Sequence, residues 1–120
     1  MDKYNFSYDA DNDDLFLYKP KSVSKGSVEF GNVILDFNNK KDFVGIQIMQ
    51  ASKVISEMLE GKDKTKIKSM LEQLKDSKIE TKINGNILII KLFLVSETGE
   101  LHPILNLPHI KQASPSLAYA

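Results

Sequence analysis

The sequence predicts an α+β protein: a mainly antiparallel sheet of about six strands, with a central two-helix hairpin packed on one face. Three observations carry that prediction. Apolar residues alternate with polar ones near both ends of the chain, the period of strands. The period lengthens to that of a helix between Ala51 and Leu74. Asn84-Gly85, a hairpin dipeptide, stands between two apolar strand-like runs.

The elements follow in order. Tyr4, Phe6 and Tyr8 alternate with Asn5 and Ser7, which predicts a strand with an aromatic face. Asp9 to Asp14 is a polar turn, and Leu15-Phe16-Leu17-Tyr18 is the returning strand, ended by Pro20. Lys19 to Ser27 reads as a loop. Val33, Leu35 and Phe37 share one face of a third strand, and Val44, Ile46 and Ile48 one face of a fourth. Ala51, Val54, Ile55, Met58 and Leu59 form a helical stripe, with Ser52, Lys53, Ser56, Glu57 and Glu60 on the other side. Gly61 suits a left-handed helix end and Asp63 an N-cap. Ile67, Met70, Leu71 and Leu74 mark the second helix. Both helices are too short to persist without packing on the sheet.

Ile79 to Ile83 and Asn86 to Val95 form the second hairpin, with a type I′ turn expected at Asn84-Gly85. Leu88, Ile90, Leu92 and Leu94 make one apolar face, while Lys91 interrupts the other. Glu100 to Leu107 is an edge strand bounded by prolines. One domain therefore spans residues 1–110, and 111–120 is a loosely ordered tail. Gly31-Asn32-Val33-Ile34-Leu35 is echoed by Gly85-Asn86-Ile87-Leu88-Ile89, as two related β-units or a chance of biased composition would produce.

Composition narrows function by exclusion. The 120 residues hold no Cys, which removes disulfides, thiolate metal sites and cysteine nucleophiles. No apolar run approaches the roughly 18 residues of a membrane span. The polar N-terminus lacks a signal-peptide core, so a cytoplasmic location is expected. All 16 basic side chains are Lys, and the formal net charge is zero. Without guanidinium groups or a basic excess, sequence-specific DNA reading is disfavoured. No phosphate-binding loop, dinucleotide fingerprint or serine-nucleophile elbow is present, and no cofactor is expected.

Tyr8-Asp9-x-x-x-Asp13-x-Leu15-Phe16 resembles the opening of domain of unknown function 2283. The resemblance continues through Val33-Ile34-Leu35-Asp36-Phe37 and Val44-Gly45-Ile46-Gln47-Ile48 to Ala51-Ser52, covering roughly residues 4–60. The family usually has a Glu where this chain has Gln47. The resemblance implies no activity. Some members look like partners of small toxin-like proteins, which implies an antitoxin-type role.

Several residues invite chemistry. Asp9, Asp11 and Asp13 have the spacing that opens a calcium loop, but Asp14 and Pro20 stand where an EF-hand needs Gly and Glu. An acidic hairpin turn explains them more simply. Asp36, inside an apolar strand, could act as a base with His102 or His109; solvent-facing roles are the plainer reading of all three. Lys62, Lys64, Lys66, Lys68 and Lys75 crowd the second helix and could touch nucleic acid weakly, although a solvated face is the usual meaning. Residues 1–61 carry −3 (seven Lys, ten acids) and 62–120 carry +3 (nine Lys, six acids), which could guide self-association. Tyr4, Phe6, Tyr8, Ile87, Ile89, Phe93 and Val95 are the expected apolar interface for a homodimer or a small protein partner. The leading expectation is a small, non-catalytic binding or regulatory module.

Overall fold

The computed structural model describes residues 2–108. Its elements are β1 (Asp2–Lys3), β2 (Asn5–Asp9), β3 (Asp14–Tyr18), β4 (Gly26–Phe30), β5 (Val33–Phe37), β6 (Phe43–Ile48), α1 (Ala51–Met58), α2 (Lys64–Glu72), β7 (Leu74–Asn84), β8 (Ile87–Ser96), β9 (Gly99–Leu101) and β10 (Ile104–Pro108). The class is α+β and the pairing antiparallel, as the alternation predicts.

The expected single sheet of about six strands is corrected. Among the described residues there are two five-stranded sheets. The first runs β2-β3-β6-β5-β4; the second runs β1-β7-β8-β10, with β9 also paired to β8. Two local facts separate them. The N-terminal strand breaks at Tyr4: β1 pairs with β7 of the second sheet, and β2 with β3 of the first. Buried Ser77 fixes this crossing, since Tyr4 N–H donates to its carbonyl at 2.9 Å and its hydroxyl donates to the Tyr4 carbonyl at 2.7 Å. The second fact is β4, whose first two residues belong to the predicted loop and whose other three fall in no predicted element. Only Val28 of β4 is fully buried, so the strand carries little periodic signal.

The register explains which side chains meet. Tyr8, Leu15, Ile48, Val33 and Phe30 form one inward row across the first sheet, and Phe6, Leu17, Ile46, Leu35 and Val28 the next. In the second sheet Leu88, Ile90, Leu92 and Leu94 point inward. Both inner faces join one core with Ile55, Ile67, Met70 and Leu71 of the helices. The helices touch each other. They are not the expected hairpin laid on one face, because their stripes enter a core that both sheets share. No helix among the described residues is long and apolar enough to cross a membrane.

Asp63 caps α2 as expected, accepting from Thr65 N–H at 2.9 Å. At the end of α1 the left-handed residues are Glu60 (φ 59°) and Gly61 (φ 82°), and Gly61 N–H reaches back to the Ser56 carbonyl at 2.8 Å. This is a Schellman-type closure. Ser52 and Ser56 are buried, contrary to their expected outward positions.

The second hairpin turns one residue later than expected. Asn84 pairs with Ile87, so the turn residues are Gly85 and Asn86. Gly85 has φ 64° and Asn86 does not have positive φ, the pattern of a type II′ turn. Gly31-Asn32 turns alike between Phe30 and Val33, with Gly31 at φ 60°. The sequence echo thus marks equivalent places: β5 is central between β4 and β6, and β8 between β7 and β10. The end of the second echo and the tail at 111–120 lie outside the described residues.

Gly85→Ala would put a Cβ on a left-handed backbone. The expected loss is about 1–2 kcal/mol, read from the urea midpoint at unchanged m-value.

Candidate functional site

The family-like motif builds a junction between the β2–β3 turn and α1. Asp9 organises the turn: its carboxylate accepts from the N–H groups of Asp11 (3.0 Å) and Asn12 (3.3 Å) and from the Asn12 side-chain amide (2.8 Å). Those donors, the Asn12 amide foremost, hold the Asp9 carboxyl below the usual carboxylate range. The chain then passes through Asp13 at φ 57°. That turn sends the Asp13 carboxylate to Ser52, whose N–H donates at 3.1 Å and whose hydroxyl donates at 2.7 Å. The Tyr8 hydroxyl donates to the same carboxylate at 2.5 Å. The Asp13 carbonyl accepts from Ala51 N–H at 2.7 Å.

Ala51 and Ser52 open α1, whose own N-cap residue, Gln50, offers no side-chain hydrogen bond. Asp13 therefore caps the helix from across the fold, and its negative charge meets the positive end of the helix dipole. Burial, and then the bond to Asp13, push the Tyr8 phenol well above its ordinary range. The aspartates of the calcium-like spacing are divided between the turn and the helix start. Asp9 and Asp13 are committed to different partners, and no three His, Cys, Asp or Glu side chains among the described residues converge to hold a metal ion.

The opposite face of the first sheet has another character. Its outward rows are Ser7-Phe16-Gln47-Ile34-Glu29 and Asn5-Tyr18-Gly45-Asp36-Ser27. Phe16 and Tyr18 are each 39% exposed, with ring centroids 5.2 Å apart. Gly45 is buried between Tyr18 and Asp36; a Cβ there would stand 3.1 Å from the Leu17 carbonyl oxygen and 3.5 Å from an Asp36 carboxylate oxygen. The missing side chain helps leave a notch of about 190 Å³, bordered by Phe16, Tyr18, Ser22, Ser24, Asp36 and Val44. The Ser24 hydroxyl donates to Asp36 at 3.2 Å. Gln47 lies half-buried between Phe16 and Ile34.

The remaining expected sites disperse. His102 lies on the second sheet's side of the molecule, 2.9 Å from Glu100 and with its ring 5.1 Å from that of Phe93. Asp36 and His102 thus have separate hydrogen-bond partners; His109 lies outside the described residues. Of the expected interface, Tyr4, Phe6 and Tyr8 belong to the core side. Tyr4 is 4% exposed, with Phe43 beside its ring at 6.2 Å, while Phe6 and Tyr8 fill inward rows. The crossing at Tyr4 and the inward register explain this correction. Ile87, Ile89, Phe93 and Val95 do face outward, Ile87 the most exposed at 46%. Lys62, Lys64, Lys66 and Lys75 are exposed and Lys68 half-buried.

Residues 5–52 match the model of a family described as a protein of unknown function (DUF2283). The matched segment holds both sides of the Asp13–Ser52 junction and most of the outward aromatic face. An uncharacterized protein of Methanocaldococcus jannaschii is 37% identical over 54 residues, covering 45% of this chain and 47% of the relative. The chain thus spans about half the length of the curated relative it matches. No solved structure matches.

Two outcomes test the junction. Asp13→Ala removes the cap and the acceptor of Tyr8, and should cost about 2–3 kcal/mol in chemical denaturation. Tyr8→Phe should cost about 1 kcal/mol. The pH test concerns Tyr4, whose phenol is pushed up to about 12 by burial and then by Asp2. The folded value lies above the ordinary unfolded value of about 10. Stability should therefore hold below pH 10 and fall as pH rises through 12, and Tyr4→Phe should lessen that decline in denaturant titrations, the remainder belonging to Tyr8, whose phenol is raised as well.

Proposed function

We propose that this chain is a small non-catalytic binding module that pairs with itself or with another protein through the outward face of its first sheet. One observation carries the reading: Phe16 and Tyr18, both 39% exposed, lie together on that face. Large aromatics left in water beside a polar rim are typical of interface anchors. The polar residues of the motif support the same view. Tyr8, Asp9, Asp13 and Ser52 spend their hydrogen bonds inside the fold. The motif then preserves an architecture that presents the aromatic face. An antitoxin-like pairing with a small protein is one form this role would take.

The test compares the wild type with the double variant Phe16→Ser, Tyr18→Ser. Sedimentation equilibrium reads self-association, and a tagged pull-down from host lysate reads a stoichiometric partner. The wild type should associate in one of these assays, and the double variant should lose that association while keeping its circular-dichroism spectrum. A monomeric wild type without a partner, or a complex unaffected by the two substitutions, would refute the proposal.

A further inference from the structure

The notch beside the aromatic pair carries a more specific chemistry. We propose that the space bounded by Phe16, Tyr18, Ser24 and Asp36 receives the ammonium group of a lysine side chain presented by a protein partner. The inference rests on the binding-module reading and deepens it.

Size comes first. The notch is about 190 Å³, below the roughly 300 Å³ at which pockets for small-molecule ligands begin. A single side chain suits it better than a metabolite. Charge comes next. Asp36 accepts a hydrogen bond from Ser24 at 3.2 Å, and no lysine forms an ion pair with it among the described residues. One carboxylate oxygen lies 3.5 Å from the place where a Gly45 Cβ would stand, so it overlooks the space that Gly45 leaves empty. The walls are the third argument. Phe16 and Tyr18 present half-open rings, whose faces are electronegative and attract cations. An alkylammonium chain matches all three: its stem lies on the rings and its charged head reaches the carboxylate. The fold already contains this chemistry elsewhere, where Lys91 Nζ lies 5.1 Å from the centre of the Phe93 ring.

The probe is Nα-acetyl-lysine N-methylamide, titrated into ¹⁵N-labelled full-length chain at constant ionic strength. Nα-acetyl-norleucine N-methylamide is the uncharged control. The lysine probe should give saturable shifts centred on the amides of Phe16, Tyr18, Ser24, Asp36 and Gly45, and the norleucine probe should not. Asp36→Asn should weaken binding roughly tenfold, as expected for loss of a charge-assisted contact. Tyr18→Leu, which keeps an apolar wall but no ring, should weaken it severalfold.

Equal shifts with both probes, absence of saturation, or an unchanged affinity in Asp36→Asn would overturn the proposal. The association assay separates this failure from that of the wider reading. A complex lost in the Phe16→Ser, Tyr18→Ser variant but intact in Asp36→Asn would sink the lysine notch and leave the binding module standing. Saturable lysine-probe binding by a chain that associates with nothing would overturn the protein partner as the source of the ammonium group.

Discussion

The carboxylate of Asp13 is the constraint on which the first half of the molecule depends. A short helix has N–H groups at its start with no partner inside it, and α1 begins after a residue that supplies no side-chain cap. Asp13 satisfies Ser52 N–H from 39 positions away in sequence. It also takes the Ser52 hydroxyl and the phenol of Tyr8. One side chain therefore ties a hairpin turn, an inward aromatic and a helix start into a single unit. The direction of α1 is set there, and with it the entry of Ile55 into the core. Such a group is costly to remove because its donors would remain half-buried without an acceptor.

Tyr4 and Ser77 make a second tie, between the two sheets. Each donates to the other through a different group, so the crossing strand leaves neither the Tyr4 carbonyl nor the Ser77 hydroxyl unpaired. The inner faces can then close on one apolar core. The outer faces are left to differ. That of the first sheet carries an aromatic pair, a glycine gap and a carboxylate; that of β8 carries Ile87, Ile89, Phe93 and Val95 with Lys91 among them.

The sequence makes some of this legible and conceals the rest for physical reasons. The alternation of Leu88, Ile90, Leu92 and Leu94 is unambiguous, since one face of β8 is wholly apolar. The turn before it is displaced by one residue because Gly85 stands between two asparagines, and either Asn-Gly or Gly-Asn could form it. The burial of Ser52 gives no periodic signal, because its partner Asp13 is brought to it only by the tertiary fold. The division into two sheets hides at Tyr4, whose aromatic side chain continues the strand pattern while its backbone changes partners. The notch is equally hidden. Ser24 reads as loop and Asp36 as an isolated acid, and only the register across β3, β6 and β5 sets Tyr18, Gly45 and Asp36 in one row.

The pairing of β1 with β7 has a consequence for how the molecule assembles. Asp2 lies opposite Ile79, whereas the β4–β5 and β7–β8 hairpins close over two residues. During synthesis the hairpins and the helix pair can form from neighbouring segments as they emerge. The strand at Asp2–Lys3 must wait until β7 has left the ribosome, holding an open edge on the second sheet until it docks. The short β1 thus pairs late, only once the segment at Lys78 and Ile79 has been made.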